Sequence, residues 1–228
     1  MSEALRIMAI SAHPADFCSR SGGTLIKHIR AGARVRVVWL SHGETDESAL
    51  VYQQHPGIST EEVCRIRAAE ARACVEAMGA EGRMLGYSDG PLRVTEERLA
   101  ELADEIDAFR PQVLLTHWRD ELTYPTHWLT AEAAVRAAMR VKATNDIRYF
   151  EPNIGTAARV GFVPDHYVDI TDVFAEKLAA LQTLAAQPHL VELYTTCNRW
   201  RGIESGCQYA EAFVHRAPRV PRQQLLTD

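Results

Sequence analysis

The sequence predicts an α/β protein built on a mostly parallel sheet. Three observations carry that prediction: apolar runs of strand length, helical apolar stripes between them, and glycine- or proline-marked turns where one gives way to the other. Residues 5–11 (LRIMAIS) form the first run, and Gly22 and Gly23 open a helical pattern of Leu25, Ile26 and Ile29 that ends at Gly32. Residues 34–41 (RVRVVWLS) read as a second buried strand, completing a βαβ unit whose strands run parallel. Residues 12–21 are expected to be the loop joining the first strand to its helix.

Each later element rests on a local signal. Residues 45–58 are polar and close on Pro56-Gly57, which predicts an irregular, lid-like loop. Ser59-Thr60-Glu61-Glu62 is a capping box for a helix carried by Val63, Ile66, Ala69, Ala73, Val75 and Met78 and stopped at Gly79. A short strand over residues 83–87 leads into the turn Ser88-Asp89-Gly90-Pro91-Leu92. Thr95 caps a helix with Leu99, Leu102, Ile106 and Phe109 on one face, and Pro111 ends it. Residues 113–116 (VLLT) read as the fourth buried strand, followed by an Ala-rich helix over 128–141. Strands are expected at 147–151 and 167–170, and a helix opened by Thr171 or Asp172 runs to about Gln187. From Pro188 onward periodic signals are few.

Composition narrows the function classes. At 228 residues the chain can bury a large single core, and a single domain over 1–228 is the expected organisation. A formal net charge of −5 argues against a nucleic-acid partner, which calls for clustered Lys and Arg. The five cysteines are odd in number and contain no CxxC pair, so reduced thiols and a cytoplasmic location are expected. No apolar run approaches membrane-spanning length. The expected partner is a small molecule, with neither nucleic acid nor membrane, and the chain is expected to be a homo-oligomer.

The chemistry gathers at the strand ends. Right-handed crossovers bring the loops after parallel strands to one edge of the sheet, the edge where open α/β folds place ligands. Ser11-Ala12-His13-Pro14-Ala15-Asp16 lies there, and the segment His117 to His127 follows the fourth strand to the same edge. His13, Asp16 and His127 thus offer two nitrogens and one oxygen, a donor set used for catalytic Zn²⁺. Taken alone, His13 and Asp16 read equally well as a loop hydrogen-bonding pair.

The motifs A-H-P-x-D with a following Gly-Gly, Arg67-x-x-Glu70 and Thr116-His117…Pro125-x-His127 resemble the PIG-L/LmbE family of zinc-dependent N-acetylglucosamine deacetylases. The resemblance extends through Asp89-Gly90, Asp169-Ile170-Thr171-Asp172, Lys177 and Tyr209-Ala210-Glu211-Ala212-Phe213. It implies a Rossmann-like three-layer fold and Zn²⁺ on His13, Asp16 and His127. Two departures matter. The family's usual A-H-P-D-D carries a general base where this chain has Ala15, and its H-P-D-H begins with a histidine where this chain has Tyr124.

The 4-oxalomesaconate hydratase branch of the family shows the same two losses. The features shared with it include Arg20, Glu44 with Glu47-Ser48, Pro91-Leu92-Arg93, Phe150-Glu151-Pro152, Gln187 with His189-Leu190, and Pro218-Arg219-Val220. The resemblance therefore implies a hydro-lyase adding water to an unsaturated oxo-carboxylic acid from aromatic-ring breakdown. A deacetylase lacking its usual Asp base is the alternative, and a zinc-site protein without activity is a third.

Hydration needs an acid/base group and cations for substrate carboxylates. Glu44 is the acid/base candidate, against a solvated loop carboxylate as the other reading. His42 and His117 are candidates for proton transfer or for orienting a ligand, and Tyr124 for hydroxyl donation or as a wall. Arg20, Arg67, Arg119 and Arg201 are the substrate-binding candidates, because a guanidinium binds carboxylates bidentately. Residues 201–206 lack the extra basic pair that the branch carries nearby, which leaves open an acid with fewer carboxylates or another way of binding it.

Overall fold

A computed structural model describes residues 3–121, 124–144, 146–153 and 155–215. The shared feature Pro218-Arg219-Val220 lies outside the described residues. In chain order the elements are β1 (Arg6–Ser11), α1 (Asp16–Arg30), β2 (Arg34–Ser41), α2 (Ala49–Gln54), α3 (Thr60–Met78), β3 (Glu81–Tyr87) and α4 (Glu96–Phe109). They continue with β4 (Val113–Thr116), α5 (Pro125–Val141), β5 (Ile147–Phe150), β6 (His166–Asp169), α6 (Phe174–Gln182), α7 (His189–Ser205) and β7 (Ala210–Val214).

The strands form a seven-stranded sheet in the order β3-β2-β1-β4-β5-β7-β6. Pairing is parallel from β3 through β5, and only β7, wedged between β5 and β6, runs antiparallel to its neighbours. Strand alternation divides the core in two. Ile7, Ala9, Val35, Val37 and Trp39 pack with residues of α1, α3 and α6 on one face. Met8, Ile10, Val38, Leu40 and Leu114 pack with α4 and α5 on the other. The three-layer α/β fold expected from the sequence is therefore the one observed.

Several boundaries differ from expectation, each for a physical reason. The stretch 12–21 is not all loop, because α1 begins at Asp16, where the Ser19 N–H reaches the Ala15 carbonyl at 2.9 Å. Gly22 and Gly23 sit inside that helix because it presses against the chain near β6: a Cβ on Gly23 would lie 2.8–2.9 Å from Ile170 side-chain atoms, Cβ among them. Gly23→Ala should therefore lower stability by about 1–3 kcal/mol in urea unfolding, despite alanine's better helix propensity. The lid-like segment contains a 3₁₀ turn at Asp46–Ser48 and the short α2. Helix α5 starts at Pro125 rather than 128, proline being suited to a first helical position that has no N–H to satisfy. Helix α6 stops at Gln182, short of Gln187.

The largest difference from expectation lies after Pro188, where α7 and β7 are regular elements with polar residues in their buried faces. Asn198 and Arg201 of α7 and Glu211 of β7 are buried. Lys177 explains Glu211. Its ammonium, fully buried, donates to Glu211 Oε1 at 2.7 Å, Asn198 Oδ1 at 2.6 Å and the Ser19 carbonyl at 2.8 Å. The same Glu211 carboxylate accepts the N–H groups of Gly23 and Thr24 at 2.9 and 2.7 Å, which ties α1 to the far strands.

Candidate active site

β1 is flanked by β2 on one side and β4 on the other, so the strand order reverses beside it and a crevice opens at the carboxyl edge. The loop after β1 and the first turn of α1 fill that crevice from one side. Asp16 Oδ2 accepts the His13 N–H at 2.9 Å, a contact that folds the H-x-x-D turn so that both side chains face inward. His127 comes from the opposite side, in the first turn of α5.

Four donor groups converge there. His13 Nδ1 is 3.3 Å from Asp16 Oδ2, 3.2 Å from Glu47 Oε1 and 3.3 Å from His127 Nε2. One donor atom from each of these four residues lies within 4.8 Å of every other. A carboxylate stands behind each imidazole: His13 Nε2 is hydrogen-bonded to Asp89 Oδ1 at 2.8 Å, and Glu121 Oε2 lies 3.1 Å from His127 Nδ1 without hydrogen-bond geometry. Carboxylates in those positions keep a proton on the outer nitrogen and direct the inner lone pair toward the cluster, the arrangement found behind metal-ligating histidines. A set of two imidazoles and two carboxylates fits a transition-metal cation.

The electrostatics agree. Burial lowers the proton affinity of His13, but Glu47, Asp16 and Asp89 outweigh it and hold the imidazole well above its usual range. A field that attracts a proton so strongly also attracts a metal cation. Burial and the neighbouring His117 push His127 down to about 4, leaving its ring neutral at pH 7. Burial alone would raise Asp89, yet its contact with His13 brings it down to about 2. For Glu121, the Arg20 charge and the two nearby histidines overcome burial and hold the carboxyl well below the usual range.

His117 has a supporting position. Its Nε2 accepts the Ala12 N–H at 2.9 Å, and its ring stacks on His127 with centroids 4.1 Å apart. Tyr124 stacks on the other side of His127, at 4.9 Å and 18°. A cavity of about 430 Å³ opens on the cluster, lined among others by Ala15, Asp16, Arg20, Glu47, Tyr124 and Gln187. Tyr124 also borders a second cavity of about 410 Å³ that reaches His13 and Asp89 from the β3 side.

The remaining expected residues are distributed unevenly. The carboxylate of Glu44 is turned to the Asp89 N–H, which it accepts at 2.8 Å, and Glu47, one 3₁₀ turn later, faces the donor cluster instead. His42 groups with Glu44 and Cys64, apart from the cavity. Of the four arginines, only Arg20 lines the cavity, with Nε 3.2 Å from Asp16 Oδ1 and Nη1 2.5 Å from the Glu151 carbonyl. Arg67 is fully buried and committed to Glu47, Gln187, Glu70 and the His42 carbonyl. Arg119 is exposed beside Asp120, and Arg201 pairs with Glu151 and Glu204 next to a different cavity. Arg67, Arg119 and Arg201 therefore do not line this cavity. Glu121, whose Oε1 accepts the Asn153 N–H at 2.8 Å, carried no sequence signal beyond its place in the ligand loop.

Residues 8–138 match the model of the family described as PIG-L, GlcNAc-PI de-N-acetylase. The chain belongs to the PIG-L family. Within it, the chain is 33% identical to a 4-oxalmesaconate hydratase of Pseudomonas putida KT2440, over 93% of this chain and 90% of that protein. The crystal structure of GalB, the 4-carboxy-2-hydroxymuconate hydratase of Pseudomonas putida KT2440, superposes with a TM-score of 0.89 and 29% identity, covering 97% of this chain and all of that one. A diacetylchitobiose deacetylase of Thermococcus kodakarensis is 29% identical over 93% of this chain and 86% of its own length. The PIG-L family and its hydratase branch, expected from the sequence motifs, are thus both represented among the relatives.

Proposed function

We propose that this PIG-L protein is a zinc-dependent hydratase, adding water across a carbon–carbon double bond conjugated to a carbonyl in an unsaturated oxo-carboxylic acid of the 4-oxalomesaconate type. The observation that carries the reading is the position of Glu47. The carboxylate that faces both the donor cluster and the cavity comes from the loop after β2, while position 15, beside Asp16, holds a buried alanine with no proton to exchange.

In this proposal His13, Asp16 and His127 hold Zn²⁺, with Glu47 adjoining them. Bound there, the cation supplies Lewis acidity for a substrate or water oxygen. Glu47 is the acid/base group in place of Glu44. Arg67 Nη2, 3.3 Å from Glu47 Oε2, fixes that carboxylate in position, and Gln187 in turn fixes the same Arg67 nitrogen at 2.6 Å. Glu47 takes a proton from the attacking water as the water oxygen bonds to the carbon β to the carbonyl, and the protonated Glu47 then returns that proton to the α carbon of the resulting enolate. Arg20, its guanidinium already held by Asp16, the Glu151 carbonyl and Asn153 Oδ1, places a positive charge on the cavity wall toward a substrate carboxylate, and Gln187 and Asn153 add neutral polar groups there. Tyr124, packed flat on His127, is the wall nearest the developing enolate and its hydroxyl donor. The reading extends to a cytoplasmic homo-oligomer, consistent with free thiols at all five cysteines. No helix among the described residues is long and apolar enough to cross a membrane.

The test pairs two substrates on the zinc-loaded protein. Incubation with 4-oxalomesaconate should remove the conjugated absorbance, while N-acetylglucosamine conjugates should release no free amine. Amine release without loss of absorbance would instead assign the site to deacetylation.

A further inference from the structure

Behind the strand edge lies another group of donors that the hydration chemistry does not use. His42 and Glu44 flank Gly43 at the end of β2, and Cys64 faces them from the first turns of α3. One donor atom from each of the three lies within 4.8 Å of the others. Glu44 is 7% exposed, and its two oxygens have different surroundings. Oε1 accepts the Asp89 N–H at 2.8 Å, whereas Oε2 is buried with no hydrogen-bond partner. An unpartnered carboxylate oxygen in a buried position forgoes its hydration with nothing in exchange, so such an atom calls for a ligand.

We propose that His42, Glu44 and Cys64 form a second metal site, for a borderline-soft divalent cation of the Zn²⁺ or Co²⁺ class. The donor set decides the class. One imidazole, one carboxylate and one thiol match cations that accept nitrogen, oxygen and sulfur together, and the thiol disfavours Mg²⁺ and Ca²⁺. Burial and then the Glu44 charge raise the Cys64 thiol, so the neighbours oppose a thiolate until a cation compensates them. His42 and Cys64 are each partly exposed, which leaves the ion a path from solvent to Oε2.

The position connects the site to the cavity cluster. Glu44 holds the backbone of Asp89, and Asp89 holds His13 Nε2 at 2.8 Å. An ion on Oε2 would stiffen the loop that orients His13. The two sites differ in one decisive respect: His13, Asp16, Glu47 and His127 contain no sulfur, so of the two only the second gives a thiolate signature, and Cys64→Ser separates it from the other four cysteines.

Cobalt supplies the probe. The full-length, metal-stripped protein is titrated with Co²⁺ under reducing conditions while ultraviolet absorption and bound metal are followed together. A further equivalent beyond that taken by the His13 cluster should bring a thiolate-to-cobalt charge-transfer band. Cys64→Ser should abolish the band and that equivalent while the other stays, and His42→Ala, an independent variant, should also lose the equivalent. Circular dichroism of both variants should match the parent. Saturation at the His13 cluster alone with no band, or a band that survives Cys64→Ser, overturns the proposal.

Discussion

Glu47→Gln should lower the hydration rate by about 10²–10⁴ while leaving the protein folded, the loss typical of removing a general acid/base. Glutamine keeps the size of the side chain and an oxygen for contact with Arg67, so positioning is conserved and proton exchange is not. The comparison variant is Glu44→Gln, which retains an acceptor for the Asp89 N–H and leaves the carboxylate facing the cavity untouched. It should cost far less. The measurement is kcat on 4-oxalomesaconate for both variants, with bound zinc quantified in each, because Glu47 adjoins the metal donors. If Glu44→Gln were the inactive variant and Glu47→Gln retained its rate, the acid/base assignment would return to Glu44. Arg67→Met gives a second line of evidence, since loss of the group that holds Glu47 should depress kcat more than it changes KM.

What the sequence disclosed and what it concealed follow from the kind of signal each residue carries. RVRVVWLS and VLLT are apolar runs bounded by turns, and β2 and β4 match them residue for residue. Ser59 and Thr95 cap their helices through the N–H groups of Glu62 and Arg98, a local contact that local sequence predicts well. Placement of His13, Asp16 and His127 at one edge needed only parallel topology. The sequence pointed to Glu44 and not to Glu47, because both follow β2 within one short loop and the 3₁₀ turn at Asp46–Ser48 is what brings Glu47 to face His13. The arginines were ambiguous for a related reason: beside the local partners Glu70 and Glu204, Arg67 and Arg201 each find a second carboxylate, Glu47 and Glu151, across the fold, and that pairing is invisible in residue order. In α7 and β7, buried Asn198, Arg201 and Glu211 broke the apolar periodicity that would have revealed the elements.

The second large effect concerns the fold rather than the chemistry. Lys177→Met should destabilise the protein by about 3–5 kcal/mol, the usual consequence of removing one partner from a buried ion pair. Glu211, 1% exposed, would keep its charge with only the Gly23 and Thr24 N–H groups to compensate it. The Ser19 carbonyl and Asn198 would each lose a donor as well. For a chain of this size the loss corresponds to a fall in Tm of roughly 6–20 °C. Urea unfolding at pH 7 measures it directly, and Lys177→Met combined with Glu211→Gln should regain part of the stability because the second change removes the stranded charge. A single variant within about 1 kcal/mol of the parent would show that water reaches Glu211 and that the pair is not the tie between α1 and β7. The site should feel the change too. Helix α1 presents Asp16 and Arg20 to the cavity from its first turns, and the Lys177–Glu211 pair grips that helix at Ser19, Gly23 and Thr24, so loosening the pair should weaken retention of zinc before the protein unfolds.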